Sequence, residues 1–122
     1  METGQQRSQA RTDLLEALYA AYNDRDFSKV ADHLAPDVRW FDQLSGVEMT
    51  SRPQVEAYWK DHVSMIRIET YPLSMTPLPD GDIVVVAAQT VRNLEGQLWS
   101  SQTVTHTYRF TDDNLIAAMT PS

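Results

Sequence analysis

Apolar residues change their spacing about halfway along this chain. In the first half they recur every three or four positions; in the second they fall in strand-length runs between turn residues. Leu14, Leu15, Leu18, Tyr19 and Tyr22 share one face of a helix that Thr12 caps and that ends near Asn23. Residues 1–11 are polar and read as a flexible N-terminus, which leaves residues 12–122 as a single domain. Asn23-Asp24-Arg25-Asp26 is a turn. Asp26 then caps a short second helix over residues 27–34 that buries Phe27, Val30 and Leu34, and Pro36 forbids its continuation. Residues 38–42 read as a strand, followed by a loop from Gln43 to Thr50. Ser51 or Thr50 caps a third helix with Pro53 in its first turn. Its apolar face is Val55, Tyr58, Trp59, His62, Val63 and Ile66.

The second half predicts strands. Residues 67–77 form the first, and Pro72 within it implies an edge position or a bulge. Asp80-Gly81-Asp82 and Asn93-Leu94-Glu95-Gly96 are turn signals. They bracket residues 83–92, which are rich in β-branched side chains and apolar at both parities. A long strand over residues 98–110 follows, then a turn at Thr111-Asp112-Asp113-Asn114 and a short last strand over residues 115–119. This order predicts an α+β fold. Three helices from the N-terminal half cover one face of a curved antiparallel sheet, making a cone that encloses a pocket.

Composition removes several functions. The net charge of −7 disfavours nucleic acid and anionic membrane surfaces. No apolar segment approaches the length of a signal or a membrane span, so the expected location is cytoplasmic. There is no cysteine, hence no thiol chemistry or disulfide framework. His33, His62 and His106 lack the short paired spacing of a metal site, and no glycine-rich phosphate loop is present. Neither a metal nor a cofactor is expected.

The chemistry that remains centres on Asp42. Strand alternation puts it on the same face as Val38 and Trp40, where an apolar setting makes a carboxylate a stronger proton acceptor. The plainer reading is an aspartate that caps its own turn. On the long strand, Gln102, His106 and Tyr108 share the core-facing parity with Val104. There His106 is either an ordinary core histidine or a proton donor. The opposite face, Ser101, Thr103, Thr105 and Thr107, is either solvated or the contact face of a two-fold homodimer. His62 either packs at a rim or points into the pocket mouth. Tyr19, Trp40, Tyr58 and Trp59 supply bulk to the core. Where they reach the pocket they favour flat apolar ligands.

The stretches Ala20-Ala21-Tyr22-Asn23-Asp24-Arg25-Asp26-Phe27 and Leu34-Ala35-Pro36-Asp37-Val38-Arg39-Trp40 resemble the SnoaL-like polyketide cyclase and ketosteroid isomerase group, within the nuclear-transport-factor-2-like superfamily. The likeness extends over residues 12 to 119. It implies the cone fold, but not one activity, because isomerases, cyclases, dehydratases, epoxide hydrolases and binding domains share it. By resemblance, Asp42 stands where ketosteroid isomerases place their proton-shuttling aspartate, and His106 near their oxyanion-binding acid. Leu18 occupies the position of their tyrosine donor, which argues against steroid isomerisation itself. Thr50-Ser51-Arg52 lacks the family's usual glycine. The chain's last strand is short, which implies a short or open pocket wall. Together these readings imply a cofactor-independent cyclase, isomerase or dehydratase acting on a small hydrophobic carbonyl compound. Asp42 and His106 are its catalytic candidates, and Tyr19, Trp40, Tyr58, Trp59, His62, Gln102 and Tyr108 are its substrate-binding candidates. The alternatives are a non-catalytic ligand-binding or dimerisation module, and an epoxide-opening enzyme that would need further pocket acids, or an arginine such as Arg92 or Arg109 turned inward.

Overall fold

The order of elements follows the periodicities. In the computed structural model, which describes residues 3–42, 46–62 and 65–122 with the side chain of His62 excepted, the chain runs α1 (Gly4–Asn23), α2 (Phe27–Ala31), β1 (Leu34–Asp42), β2 (Val47–Met49), α3 (Arg52–His62), β3 (Ile66–Pro77), β4 (Ile83–Asn93), β5 (Leu98–Phe110) and β6 (Ile116–Pro121). The strands form one curved six-stranded sheet in the order β2-β1-β6-β5-β4-β3. The helices lie against its concave side, α1 packing on β3 and α3 on β1.

Four features differ from the sequence reading. Helix α1 begins at Gly4, not after Thr12, so residues 4–11 are helical where a flexible terminus was expected. The cause is a capping box: Thr3 Oγ1 accepts from the Gln6 amide, and Gln6 Oε1 accepts from the Thr3 amide. Helix α2 stops at Ala31, and Leu34 opens β1 instead of closing the helix. Val47–Met49, read as loop, is strand β2, paired antiparallel with β1 through Trp40 opposite Met49 and Asp42 opposite Val47. The sheet is also mixed rather than wholly antiparallel, because β1 runs parallel to β6. Their register breaks between Leu34 and Arg39, and Pro36 sits in that break, where its missing N–H costs no ladder bond.

Other expectations hold. Pro72 lies on the edge strand β3, beside a register shift between Pro72 and Ser74. Ser51 caps α3, its hydroxyl accepting from the Gln54 amide at 3.3 Å. Val63 lies outside the described residues, and Ile66 opens β3 rather than extending the helix.

The core fills the space between helices and sheet. Leu15, Val30, Leu34, Val38, Val55, Ile83, Val85, Ala87 and Ile116 have no solvent exposure. The narrow end of the cone is held by a charged residue. Arg11 is buried in α1, where Nε donates to Asn114 Oδ1 and Nη1 to the Gly81 carbonyl, each at 2.9 Å, while the guanidinium lies 4.9 Å from the centre of the Phe110 ring. One side chain thus ties the first helix to the β3–β4 and β5–β6 turns. Gly81 permits the approach: its φ is +96°, and a Cβ there would meet Arg11 Nη1 at 2.7 Å. Arg11→Ala should therefore cost about 1–3 kcal/mol, because it removes the buried guanidinium and leaves its half-buried acceptors without their partner. Chemical denaturation measures this. A loss below about 0.5 kcal/mol, the range of ordinary surface substitutions, would show that the clamp is not structural.

Candidate functional site

Strand alternation delivers the acid. Val38 and Trp40 are buried on the inner face of β1, and Asp42 follows them, half-buried, at the strand's end. Its carboxylate Oδ2 accepts a hydrogen bond from the Tyr58 hydroxyl, which α3 holds above the sheet. The aspartate is thus tied to the helix that packs on its own strand. Gly46 N also donates to the Asp42 carbonyl at 2.8 Å, so the strand ends in a turn as well.

The same rule delivers the histidine. Val104 and Tyr108 are buried on the inner parity of β5, and His106 lies half-buried between them. From α1, the Tyr19 hydroxyl lies 2.7 Å from the Tyr108 hydroxyl and 3.1 Å from His106 Nδ1. Burial lowers the His106 pKa from 6.5 to about 4, so the ring is neutral at physiological pH. Burial pushes Tyr19, Tyr22 and Tyr108 above the usual phenol range, so all three stay protonated.

Asp42 and His106 line one cavity of about 80 Å³. They sit on β1 and β5 with β6 between them, which separates their backbones by two strand spacings, roughly 10 Å. On β6, Pro121 pairs with His106 and Met119 pairs with Trp40 on one side and Tyr108 on the other, and both form part of the cavity wall. Aromatic rings close the rest. Trp40 and Trp59 meet edge-to-face with centroids 5.1 Å apart, and Trp40 meets Tyr108 at 6.0 Å. The result is an apolar chamber with an acceptor on one wall and a polar cluster on another.

The expected binding residues divide. Tyr19, Trp40, Trp59, Gln102 and Tyr108 line the cavity, Gln102 at an exposed position on β5. Tyr58 does not line it, but holds Asp42. His62 is the last residue of α3, and its side chain lies outside the described ones. Arg92 and Arg109 do not contribute to the lining.

A polar patch was missed. Thr70 and Gln89 line the cavity too, with Gln89 paired to Gln102 across β4 and β5. Gln89 Nε2 donates to Thr70 Oγ1 at 3.5 Å, and the Asn23 amide grips the backbone of Thr70 through two bonds of 2.8 Å. A signal was available: along β4, Val85, Ala87, Gln89 and Val91 share the inner parity, and only Gln89 is polar. Tyr22, on the apolar face of α1, lines the cavity as well. Among the described residues no three potential ligands gather to hold a metal ion, and no helix is long and apolar enough to cross a membrane.

Comparison with known proteins agrees with this architecture. The sequence model of the SnoaL-like domain matches residues 15–119, and the chain belongs to that family. A nuclear-transport-factor-2-like protein of unknown function from Burkholderia pseudomallei is 23% identical, with a TM-score of 0.78 over 92% of this chain and 88% of its own. A Mycobacterium tuberculosis protein solved in complex with estradiol-17β-hemisuccinate is 16% identical, with a TM-score of 0.78 over 90% of each chain. An epoxide hydrolase/cyclase-like enzyme with a role in pyran ring formation in the polyether salinomycin is 15% identical, with a TM-score of 0.79 over 91% of this chain and 88% of its own. At these identities the likeness is one of fold. No curated protein shows significant similarity to the chain.

The His106 shift has a consequence for stability. Its pKa in the fold, about 4, lies below the ordinary 6.5, so between these values the unfolded chain binds a proton that the native state does not. This contribution is complete above pH 6.5 and is lost as pH falls toward 4. It amounts to at most about 3 kcal/mol, at 1.36 kcal/mol per pKa unit. His106→Asn should flatten the fall in unfolding free energy between pH 6.5 and 4, measured by urea titration at each pH. An unchanged slope would mean that His106 is not buried as a neutral ring.

Proposed function

We propose that the protein is a cofactor-independent acid–base enzyme, a cyclase, isomerase or dehydratase, acting on a small hydrophobic carbonyl compound. The observation that carries this is the meeting of Asp42 and His106 in one aromatic-walled cavity, from strands that leave a ligand's width between them. Asp42 takes a proton from the carbon next to the carbonyl. The neutral histidine wall faces the oxygen on which the resulting charge gathers. The small cavity favours a compact reacting portion, with larger parts of a substrate lying toward Gln102 at the mouth. The family and the cyclase-like neighbour are consistent with this class of chemistry.

The test needs no knowledge of the natural substrate. Small enolisable ketones, incubated with the protein in D₂O, reveal α-proton exchange by NMR. Asp42→Asn keeps the shape and the acceptor for Tyr58 but removes the base, and should slow protein-catalysed exchange by about 10²-fold or more. Unchanged exchange would remove Asp42 from the mechanism. Ligand binding without any exchange would favour the non-catalytic module. Epoxide opening is the less favoured chemistry, since neither Arg92 nor Arg109 reaches the cavity.

The outer face of the sheet supports a second proposal, a two-fold homodimer. Among the described residues no helix covers it, and it presents Val84, Val86, Ala88, Thr103 and Thr105, small or β-branched side chains that suit flat packing. Sedimentation should give twice the 13.9 kDa chain mass, and Val86→Arg should return the monomer. A monomeric wild-type protein would refute the pairing.

A further inference from the structure

We propose that Tyr108 and Tyr19 form a hydrogen-bond relay that fixes His106 as the tautomer with its proton on Nε2, so that this wall offers a donor to a carbonyl or oxyanion oxygen. The inference deepens the acid–base reading above and rests on it for its catalytic meaning. The relay itself rests on the hydrogen-bond geometry, with the imidazole neutral.

The number of protons and acceptors in the chain of hydroxyls decides its direction. Tyr108 is 1% exposed, and its hydroxyl has one hydrogen-bond partner among the described residues, the Tyr19 oxygen at 2.7 Å. Tyr19 is 4% exposed, with two partners, Tyr108 and His106 Nδ1. Three protons are available to this chain, one on each hydroxyl and one on the imidazole.

Suppose His106 carried its proton on Nδ1. It would then donate to the Tyr19 oxygen. Tyr19 would donate to Tyr108, leaving the Tyr108 proton buried without an acceptor. If Tyr108 donated to Tyr19 instead, the Tyr19 proton would be stranded. Either arrangement leaves a buried donor unpaired. The opposite direction leaves none: Tyr108 donates to Tyr19, Tyr19 donates to Nδ1, and the imidazole proton sits on Nε2.

Nε2 has no hydrogen-bond partner among the described residues, and the ring lines the cavity. No buried side-chain nitrogen or oxygen among the described residues lacks a partner, so Nε2 is open to the cavity and not sealed in the core. The tyrosines act as positioning residues. They make His106 a hydrogen-bond donor to ligands and withhold its basic lone pair from them. The site should therefore take a ligand oxygen that accepts, and should refuse an ammonium or other pure donor at this wall.

Nitrogen NMR of the full chain decides the matter without a substrate. Two-bond ¹H–¹⁵N spectra at pH 7 separate protonated from bare ring nitrogens, and His106→Asn assigns the signals by their loss. The expected result is a protonated Nε2 and a bare Nδ1. A protonated Nδ1, or an imidazolium, overturns the proposal. Tyr19→Phe should mix the tautomers and draw the two nitrogen shifts toward one another, and unchanged shifts would also overturn the relay. Should that variant not fold, the wild-type Tyr19 hydroxyl proton gives the second reading. It should exchange slowly and contact the His106 ring, and failure on both counts refutes the relay. Loss of the Asp42 mechanism would leave these spectra intact, whereas loss of the relay would leave the Asp42→Asn exchange defect intact.

Discussion

The hydrogen-bonded contact of Tyr19 with Tyr108 and His106 is where helix, sheet and cavity meet. An apolar cone tolerates polar atoms only if they pair with one another. Tyr108 is almost wholly buried, and its hydroxyl pairs with the helix residue Tyr19. Tyr19 in turn requires α1 to lie at one height along β5. The same pairing keeps a half-buried imidazole against the chamber. One constraint therefore positions the first helix, orders the wall and limits what that wall can do.

The second anchor lies at the narrow end. Arg11 joins α1 to two turns of the sheet, Asn23 at its C-terminal end binds Thr70 of β3, and Leu15 and Leu18 pack between them. Asp42 is held differently. It stands at the end of β1, where the ladder gives way to a turn, and Tyr58 of α3 fixes its carboxylate from above. The acceptor thus depends on the third helix and the donor wall on the first. The cavity is the gap between two independent supports.

Much of this was legible in the chain. The periodicity placed the helices and long strands, and strand parity alone put Asp42 with Val38 and Trp40, and His106 with Val104 and Tyr108. What escaped was set by pairings distant in sequence. The parallel contact of β1 with β6 joins residues about eighty positions apart, and no local pattern announces it. Strand β2 is three residues long, too short for a period to register. Residues 4–11 carry no apolar stripe, yet Thr3 and Gln6 form a capping box that was there to be read. The roles of Tyr19 and Tyr58 were hidden for another reason. A tyrosine ring satisfies a core position whatever its hydroxyl does, so the sequence marks the bulk and not the bond. Gln89 was masked by a strand apolar at both parities, although it interrupts the apolar run of Ile83, Val85, Ala87 and Val91 on the inner one.

A crystal structure with a cavity-sized ketone or its enolate mimic bound would bear most directly on the central claim, that an acceptor and a donor wall cooperate across one chamber. The account places the ligand oxygen about 3 Å from His106 Nε2 and the adjacent carbon facing the Asp42 carboxylate. A ligand seated outside the cavity, or one whose oxygen turns away from His106 toward Asp42, would contradict it.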